Sequence, residues 1–428
     1  MKWLLVVLCA MVLMPAAYGD EVTRSTFPNG LRLTVKADPG TDIVAIDLLL
    51  DISAADEPAE KAGIRYLTQR LLLRGSKNET GDGMAQRLSR VGGVADTSIG
   101  LDYVEVYVLV PADGFELALS MLADIVRAPA FLPEQVEQQR QSAAETSKAG
   151  YQDPFQATYL ALREGLYGDG PYARSTLGEP RSLAAITREN VLAFHREYYV
   201  PGRAVLAICG GISPARALHT VRAGFGDWRG SAIIPRPKQA TPPLPSSEVV
   251  ARELPIRRAQ LMIGFPAPAV GEPGYYELQI IDSLLTGRSG ARLPKLIREQ
   301  LGLAYEVSSF YPTLAGPSHF AIHVVTEPYA LDAVRTAVID ALTKLAHEPP
   351  SAEELARAKR YLLGSYALGR QRMKDQAYAL AWYEILGLGS DFGERYVAAE
   401  QAVTPSQVQQ AAATLTRGFV LAVTMPAD

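Results

Sequence analysis

Cysteine is nearly absent from the sequence, with two residues in 428. Cys9 lies in an apolar N-terminal segment, and Cys209 follows the apolar run of residues 205–208, which predicts a buried and unreactive thiol at Cys209. Once the N-terminal segment is removed, the single remaining thiol excludes an internal disulfide. The fold must therefore be stabilised by apolar cores, which two domains of about 200 residues can form.

Clusters of like charge are also absent. Lys and Arg total 42, Asp and Glu total 46, and the formal net charge is -4, with both signs mixed along the chain. Because no Lys/Arg-rich block occurs, the sequence does not predict binding to nucleic acid. A weakly acidic surface excludes few other partners.

Long apolar runs are limited to the N-terminus. Residues 3–14 form an unbroken apolar stretch of about a dozen residues, which is too short to span a bilayer comfortably. Lys2 before this stretch and the small residues Ala17 and Gly19 after it indicate a secretory signal peptide covering residues 1–19. We therefore expect a periplasmic or secreted protein with no membrane span after cleavage. A retained N-terminal anchor is the alternative.

The chain repeats its own pattern once. An amphipathic helix with a proline break after it, a capped helix start and an apolar strand occur in this order in each half. The repeated pairs begin at Phe115 and Leu331, Ile186 and Val403, and Val205 and Val420. Their offsets are 216, 217 and 215 residues, and so steady a spacing predicts two homologous halves.

A segment rich in proline and serine separates the two halves. Such a composition stays extended and packs poorly, so we assign residues 234–250 to an interdomain linker between domains 20–233 and 251–428. Each half combines strand-like runs, such as residues 43–50 and 103–110, with long helical patterns. This grouping predicts an α+β fold in which each half has one sheet backed by helices.

Residues 63–76 resemble the zinc-binding helix of the insulinase and mitochondrial-processing-peptidase family. In that family a glycine precedes an inverted His-x-x-Glu-His motif, and Lys/Arg-Gly-Thr/Ser closes the helix. The frame residues are present here as Gly63, Arg74, Gly75 and Ser76. The resemblance covers nearly the whole mature chain. It implies two homologous domains with mostly antiparallel sheets that form a half-shell, and a clam-shell when two half-shells pair.

The working positions of this motif are all changed. Tyr66 and Arg70 stand where the two zinc-binding histidines belong, and Gln69 stands where the glutamate base belongs. Thr146 occupies the position of the third ligand, a glutamate. Histidines at i and i+4 can hold one zinc ion, whereas a guanidinium has no lone pair and glutamine cannot act as a general base. We expect neither catalysis nor a cofactor in this chain alone.

The five histidines offer one other possible ligand pair. His319 and His323 share a face of a strand-like run. No carboxylate or cysteine at ligand spacing joins them, so an ordinary pair of strand residues is favoured. A relocated metal site at this pair is the less favoured alternative.

A second signature of the family is intact in the C-terminal half. Residues 284–305 are similar to the family's segment of Leu-Gly-Gly, Ser-Arg-Leu and Leu-Arg-Glu-x-x-Gly-Leu-Ala-Tyr. The resemblance implies that Arg298 and Tyr305 hold the backbone carbonyl of a substrate. A charged donor fork and a neutral hydroxyl suit a carbonyl that becomes an oxyanion. On periodicity alone, a solvated helix end at Arg298 and a packed strand start at Tyr305 are favoured over a binding site. The resemblance of the surrounding segment reverses this preference.

The family's two-chain members combine one zinc-bearing subunit with one that has lost zinc. The resemblance therefore implies a non-catalytic subunit that forms a heterodimer with an active zinc-peptidase paralogue. Zinc is then expected in the partner, and a peptide is the expected substrate. The alternative is a homodimeric peptide-binding or scaffold protein without proteolysis. A neighbouring reading frame with an intact motif would favour the heterodimer.

Overall fold

The computed structural model describes residues 22–230, 248–287 and 290–427. The predicted signal peptide (1–19) and most of the predicted linker lie outside these residues. The strands of the first half are β1 Val22–Thr26, β2 Arg32–Ala37, β3 Ile43–Leu50, β4 Val94–Ile99, β5 Val104–Pro111 and β6 Ala204–Gly210. Its helices are α1 Ile64–Leu72, α2 Gly81–Arg90, α3 Phe115–Arg127, α4 Pro133–Gln152, α5 Pro154–Tyr167, α6 Pro180–Ala184, α7 Arg188–Tyr198 and α8 Pro214–Phe225.

The second half repeats this mixture of strands and helices. Its strands are β7 Glu248–Leu254, β8 Ala259–Ala267, β9 Ala304–Phe310, β10 Ser318–Thr326 and β11 Val420–Pro426. Its helices are α9 Tyr275–Thr286, α10 Leu331–His347, α11 Ala352–Leu368, α12 Met373–Ile385, α13 Phe392–Ala402 and α14 Pro405–Leu415, with a seven-residue π-helix at Pro294–Gln300. None of the described helices is both long and apolar enough to cross a membrane.

The two sheets share one topology. The first has the order β1-β2-β6-β3-β5-β4, and the second has the order β7-β11-β8-β10-β9. Apart from β1, each strand of the first sheet has a counterpart at the same place in the second. The parallel pair β2/β6 corresponds to β7/β11, while the other pairs are antiparallel. The predicted fold class is thereby confirmed: two homologous α+β halves with mostly antiparallel sheets.

The second sheet begins earlier than the predicted domain boundary at residue 251. Strand β7 starts at Glu248, which pairs in parallel register with Val420 of β11. The last three residues of the predicted linker 234–250 therefore belong to the second sheet. The proline- and serine-rich composition ends at Ser247, and the Glu-Val-Val that follows is already a strand sequence.

The two halves exchange one helix each. Helix α5 of the first half lies on β7, β8 and β11, and its counterpart α12 lies on β3 and β6 of the first sheet. Glycines allow the first of these contacts, because a Cβ at Gly165 would lie 2.6 Å from a Val420 methyl and one at Gly264 would lie 2.6 Å from a Leu162 methyl. Each sheet is therefore covered on one face by the other half of the chain, so neither half completes its own layers.

The first-half core lies between the sheet and α1, α3, α7 and α8. Alternate residues of the buried strand β6 face this core, and the others, including Cys209, face α12. Cys209 is fully buried, and burial raises the pKa of its thiol to about 12. The prediction of an unreactive core cysteine is thus confirmed.

Candidate functional site

Two glycines that frame the α1 segment have steric roles. Gly63, at the N-cap of α1, has φ +94°, and a Cβ there would lie 2.8 Å from the Leu177 carbonyl oxygen. Gly75, after the helix, has φ +126°, and a Cβ there would lie 2.7 Å from the Glu79 carbonyl oxygen. Any larger residue would be strained at both positions. The fold itself therefore requires these glycines, whatever chemistry the helix performs.

A buried ion pair holds the start of α1. The Glu57 carboxylate accepts hydrogen bonds from the backbone N–H of Gly63 at 3.2 Å and of Arg65 at 2.8 Å. Arg65, which is fully buried, lies 3.5 Å from the same carboxylate and donates to the carbonyl oxygens of Ile52 at 2.7 Å and Gly100 at 3.1 Å. Anionic Glu57 suits the helix N-terminus, and Arg65 joins α1 to two loops of the first half.

Gln69, at the position of the glutamate base, is locked into the protein interior. Its amide nitrogen donates to the backbone carbonyl of Glu105 on β5, and its amide oxygen accepts from the Tyr199 hydroxyl at 2.8 Å. Burial raises the pKa of the Tyr199 phenol, so it stays a donor. The side chain at this position therefore has a structural role, and it has no titratable proton to exchange with a water molecule.

The two histidine positions carry groups that do not suit a metal. Arg70 is part-exposed and lies 3.4 Å from the carboxylate of Asp96 on the edge strand β4. Tyr66 is half-buried and packs against the first-half core. The helix face that would hold a cation presents a guanidinium beside a phenol, and the Asp96 carboxylate next to it is already paired with that guanidinium.

Thr146, at the third ligand position, lies on α4, which packs against α1. Its side chain is exposed, and its hydroxyl donates to the Ser142 carbonyl one turn earlier at 2.8 Å. Within the residues that the structure describes, no group of three or more His, Cys, Asp or Glu side chains could hold a metal ion. The four positions therefore supply no ligand set.

The other candidate ligand pair is part of the second-half packing. His319 and His323 share one face of β10, as predicted, and both are buried beneath α5. The His319 ring lies between two hydroxyls, with Tyr159 3.0 Å from Nε2 and Tyr167 2.8 Å from Nδ1. Because Tyr167 also donates to Pro317 O, it accepts from Nδ1–H, and Tyr159 donates to Nε2.

Burial lowers the pKa of His319 to about 3, so the ring is neutral. His323 has its own neighbours, with Nε2 2.6 Å from the Gln260 amide oxygen. The ring nitrogens that a metal would use are therefore engaged with protein groups. The pair helps to anchor α5 on the second sheet. This agrees with the sequence analysis, which favoured an ordinary pair of strand residues over a metal site.

The Arg/Tyr pair of the second half is exposed to solvent. Arg298 belongs to the π-helix, and Tyr305 belongs to β9; Leu303 N–H donates to Ile297 O at 2.9 Å and ties the two segments together. The Arg298 side chain is 51% exposed and forms a loose ion pair with the adjacent Glu299 at 3.5 Å. Its donors are therefore accessible.

Tyr305 is held by two neighbours that its sequence motif did not indicate. Its hydroxyl donates to the Glu327 carboxylate at 2.7 Å, and the guanidinium of Arg258 stacks over its ring at 3.5 Å from the centroid. The hydrogen bond to Glu327 raises the pKa of the phenol, so it remains a neutral donor. No local pattern could have identified Arg258, because it comes from the turn between β7 and β8.

Both sheets end in an unpaired edge near these residues. Strand β4, which carries Asp96, is the last strand of the first sheet, and β9, which carries Tyr305, is the last strand of the second. An edge strand presents free backbone N–H and C=O groups to an extended peptide. On β4 the Asp96 carboxylate accepts a hydrogen bond from the backbone N–H of Thr97 at 2.7 Å.

The fold and the site together define a two-domain, peptidase-like protein whose metal-binding helix has lost its ligands. Comparison with known proteins gives the family. Residues 32–180 match the family described as Insulinase (Peptidase family M16), and residues 185–362 match the description Peptidase M16 inactive domain. The chain belongs to the M16 family of peptidases and their homologues.

Its relatives include bacterial proteins named as zinc proteases. An uncharacterized zinc protease of Mycobacterium leprae is 27% identical over 361 residues, covering 83% of this chain and 80% of the relative. One from Rickettsia felis is 23% identical over 395 residues, covering 91% of each chain. These names describe the relatives.

Solved structures share the fold along nearly the whole chain. A peptidase M16 inactive domain from Pseudomonas fluorescens matches with a TM-score of 0.86 at 22% identity, covering 95% of this chain and 98% of that one. A protease from Helicobacter pylori matches with a TM-score of 0.87 at 18% identity, covering 95% of this chain and 100% of that one. At these identities the likeness establishes the fold.

Restoring only the glutamate of the motif is expected to destabilise the protein. Gln69→Glu removes the donor to the Glu105 carbonyl and places a carboxylate in a buried site, so we expect the free energy of unfolding at neutral pH to fall by about 1–3 kcal/mol. Zinc binding should not appear, because Tyr66 and Arg70 remain. Urea denaturation and metal analysis check both outcomes. Gln86→Glu on exposed α2 is the matched control, with an expected change within about 0.5 kcal/mol.

Proposed function

We propose that this chain is a non-catalytic subunit of a zinc-dependent peptidase and that it works with an active, zinc-bearing paralogue. One observation carries the proposal: the ligand positions hold a locked amide and a guanidinium, while the frame around them is intact. A chain under no demand to hold this shape would lose the frame as readily as the ligands. The fold is therefore maintained for a use other than metal catalysis.

The Arg/Tyr pair is the group that this chain would contribute. Arg298 offers an accessible charged fork, and Tyr305 offers a neutral hydroxyl in a ring steadied by Arg258. A substrate carbonyl would replace Glu327 as the acceptor of the Tyr305 hydroxyl. As negative charge develops on that oxygen, both donors would bind it more strongly and stabilise the transition state. The partner subunit would supply the metal ion that activates the nucleophile.

The free edge of β4 supports the same use. An extended peptide could add to this edge through its backbone, which would hold many sequences in one register. The Asp96 carboxylate on this strand is half-exposed and only weakly paired with Arg70. The substrate proposed here is therefore an extended peptide, and the expected location is the periplasm or the exterior, where a signal peptide would direct it.

The test is a reconstitution with the zinc-bearing paralogue. Mixing the two purified chains should give peptide cleavage that neither shows alone. In the mixture, Arg298→Ala should lower kcat/KM by about tenfold to a hundredfold, and Tyr305→Phe by about tenfold, since each removes a donor to the developing oxyanion. Arg335→Ala and Tyr361→Phe are matched controls, because both side chains are exposed on helices of the same half, α10 and α11.

Unchanged activity in both site variants would contradict the assigned role. A chain that forms a stable homodimer, binds peptides and shows no cleavage with any paralogue would instead be the peptide-binding or scaffold protein of the alternative hypothesis. Sedimentation analysis of the chain alone and of the mixture separates the two assemblies.

A further inference from the structure

A cavity of about 320 Å³ lies in the second half, away from the Arg/Tyr pair. Its walls come from the N-terminal ends of α9 and α13, from α12, and from the turn that joins α11 to α12. Aromatic side chains dominate the lining, among them Tyr366, Trp382, Tyr383 and Tyr396. A concave cavity lined mainly by aromatic side chains, with polar groups placed among them, is the usual form of a small-molecule site.

The cavity contains one fixed cation. The Arg370 guanidinium stacks on the Tyr366 ring, 3.4 Å from its centroid, and donates to the Tyr383 hydroxyl and to the Tyr366 carbonyl. These bonds use two of its five N–H groups. No carboxylate forms an ion pair with Arg370 among the residues of ranges 22–230, 248–287 and 290–427. The guanidinium is therefore held in place, and three of its N–H groups remain available to a ligand.

The one carboxylate in the lining is already neutralised. Asp375 accepts from Arg372 Nε at 2.7 Å and from Arg372 Nη2 at 3.1 Å, which is a bidentate pair. It therefore adds little negative charge to the cavity. Arg372 itself is not part of the lining and is largely exposed.

The surrounding backbone favours an anion as well. Helices α9, α12 and α13 begin at Tyr275, Met373 and Phe392 beside the cavity, and none has a side-chain N-cap. Helix α11 ends there at Leu368. Three positive helix ends against one negative end leave a net positive field, in addition to the charge of Arg370.

Trp382 contributes its indole ring to the wall and is 4% exposed. Trp382 also packs on Tyr103 of the first half, with ring centroids 5.1 Å apart, so the cavity borders the exchanged helix α12.

We propose that this cavity binds a small carboxylate that carries an aromatic or compact apolar group. The carboxylate would take the free donors of Arg370, and the apolar part would fill the space between the tyrosine rings and Trp382. A free organic acid and the C-terminal carboxylate of a peptide ending in an aromatic residue share this chemistry. The proposal is independent of the function proposed for the Arg/Tyr pair.

The test uses the mature chain with 3-phenylpropionate and its neutral analogue 3-phenylpropanamide. Calorimetric titration at about 0.15 M salt, where exposed charges are screened, should show saturable one-to-one binding of the acid. The amide should bind at least about tenfold more weakly, because it loses the charge-assisted hydrogen bonds. Equal binding of acid and amide, or no saturable binding of the acid, overturns the proposal.

Variants locate the site. Arg370→Gln should weaken acid binding by about tenfold or more and leave amide binding unchanged. Arg360→Gln, which removes an exposed charge from α11, should change neither. Acid binding that survives Arg370→Gln places the ligand elsewhere and overturns the assignment. If Arg370→Gln does not fold, two other measurements decide the question. One is the comparison of acid with amide. The other is tryptophan fluorescence, which the acid should change in the wild type and leave unchanged in Trp382→Phe.

A pair of peptides separates the two sources of carboxylate. N-acetyl-Ala-Phe with a free C-terminus is compared with the same peptide as a C-terminal amide. Binding of the free peptide in preference to its amide, and abolished by Arg370→Gln, identifies a peptide terminus as an acceptable ligand. Binding of phenylpropionate without binding of the peptide restricts the site to free acids. Both outcomes support the carboxylate site, and failure of both ligands excludes it.

Discussion

Arg65→Met is expected to lower the free energy of unfolding by about 3–5 kcal/mol. Arg65 is fully buried and is the charge partner of Glu57, which is 5% exposed. Removing the guanidinium leaves a carboxylate in the interior and takes the donors from the Ile52 and Gly100 carbonyls. Breaking one side of a buried pair costs far more than the pair contributes, because the remaining charge has lost its compensation.

Arg70→Met is the matched control, since it removes an arginine from the next turn of the same helix. Its partner Asp96 is half-exposed, and such a surface pair contributes about 1 kcal/mol or less. Urea denaturation of both variants at neutral pH measures the difference. In Arg65→Met/Glu57→Gln the orphaned charge is gone, so part of the stability should return. Equal stability of the two single variants would show that Arg65 does not anchor α1.

Local patterns were sufficient for the elements and the repeat. The predicted strand 43–50 coincides with β3, and the predicted helices at Phe115 and Leu331 begin α3 and α10 at those residues. Turn residues, caps and apolar periodicity act over a few residues, so the sequence carries them directly. The steady offset between the halves is confirmed by the matching strand orders of the two sheets.

Contacts between distant residues could not be read in the same way. The exchange of α5 and α12 depends on which sheet face each helix covers, and both helices have the composition of any buried helix. Tyr199 lies 130 residues from Gln69, and its hydroxyl determines how that amide is held. Nothing in the sequence around Tyr199 indicates that partner.

For the site, the sequence predicted that the metal ligands and the glutamate base are lost and that Arg298 and Tyr305 are retained. The losses follow from residue identity, since no position of an arginine makes it a zinc ligand. The structure adds that Gln69 has become part of the interior, so the change is built into the packing. The roles of Arg298 and Tyr305 stay predictions, because the contacts observed for them are with Glu299, Glu327 and Arg258.

The second half also contains a buried acid with a large expected effect on stability. Glu400 on α13 is fully buried, and neither carboxylate oxygen has a hydrogen-bond partner of ordinary geometry in the residues described. Burial raises the pKa of this carboxyl from 4.5 to about 8, and the nearby Tyr396 hydroxyl offsets only part of this. The folded protein therefore holds a proton here at neutral pH that the unfolded chain has released.

This proton fixes the sign of the pH dependence. Between pH 4.5 and about 8 the folded state binds more protons than the unfolded state at Glu400, so stability falls as pH rises, by up to about 1.4 kcal/mol per pH unit. The buried His195 acts in the opposite sense. Burial lowers its pKa from 6.5 to about 4, so its contribution makes stability rise with pH between about 4 and 6.5, and buried His319 acts in the same sense. Below pH 6.5 the carboxyl and the histidines act in opposite senses, so the wild-type curve alone does not isolate the contribution of Glu400.

Glu400→Gln isolates the carboxyl, because glutamine keeps the size of the side chain and has no proton to lose. The difference in unfolding free energy, variant minus wild type, should increase from pH 5 to pH 8 by several kcal/mol in favour of the variant and then level off. Urea denaturation at about four pH values in this window measures it. Glu353→Gln, at the exposed start of α11, should give a flat difference. Parallel curves for wild type and Glu400→Gln would mean that Glu400 is ionised in the folded protein. A partner group or water would then have to stabilise the buried carboxylate.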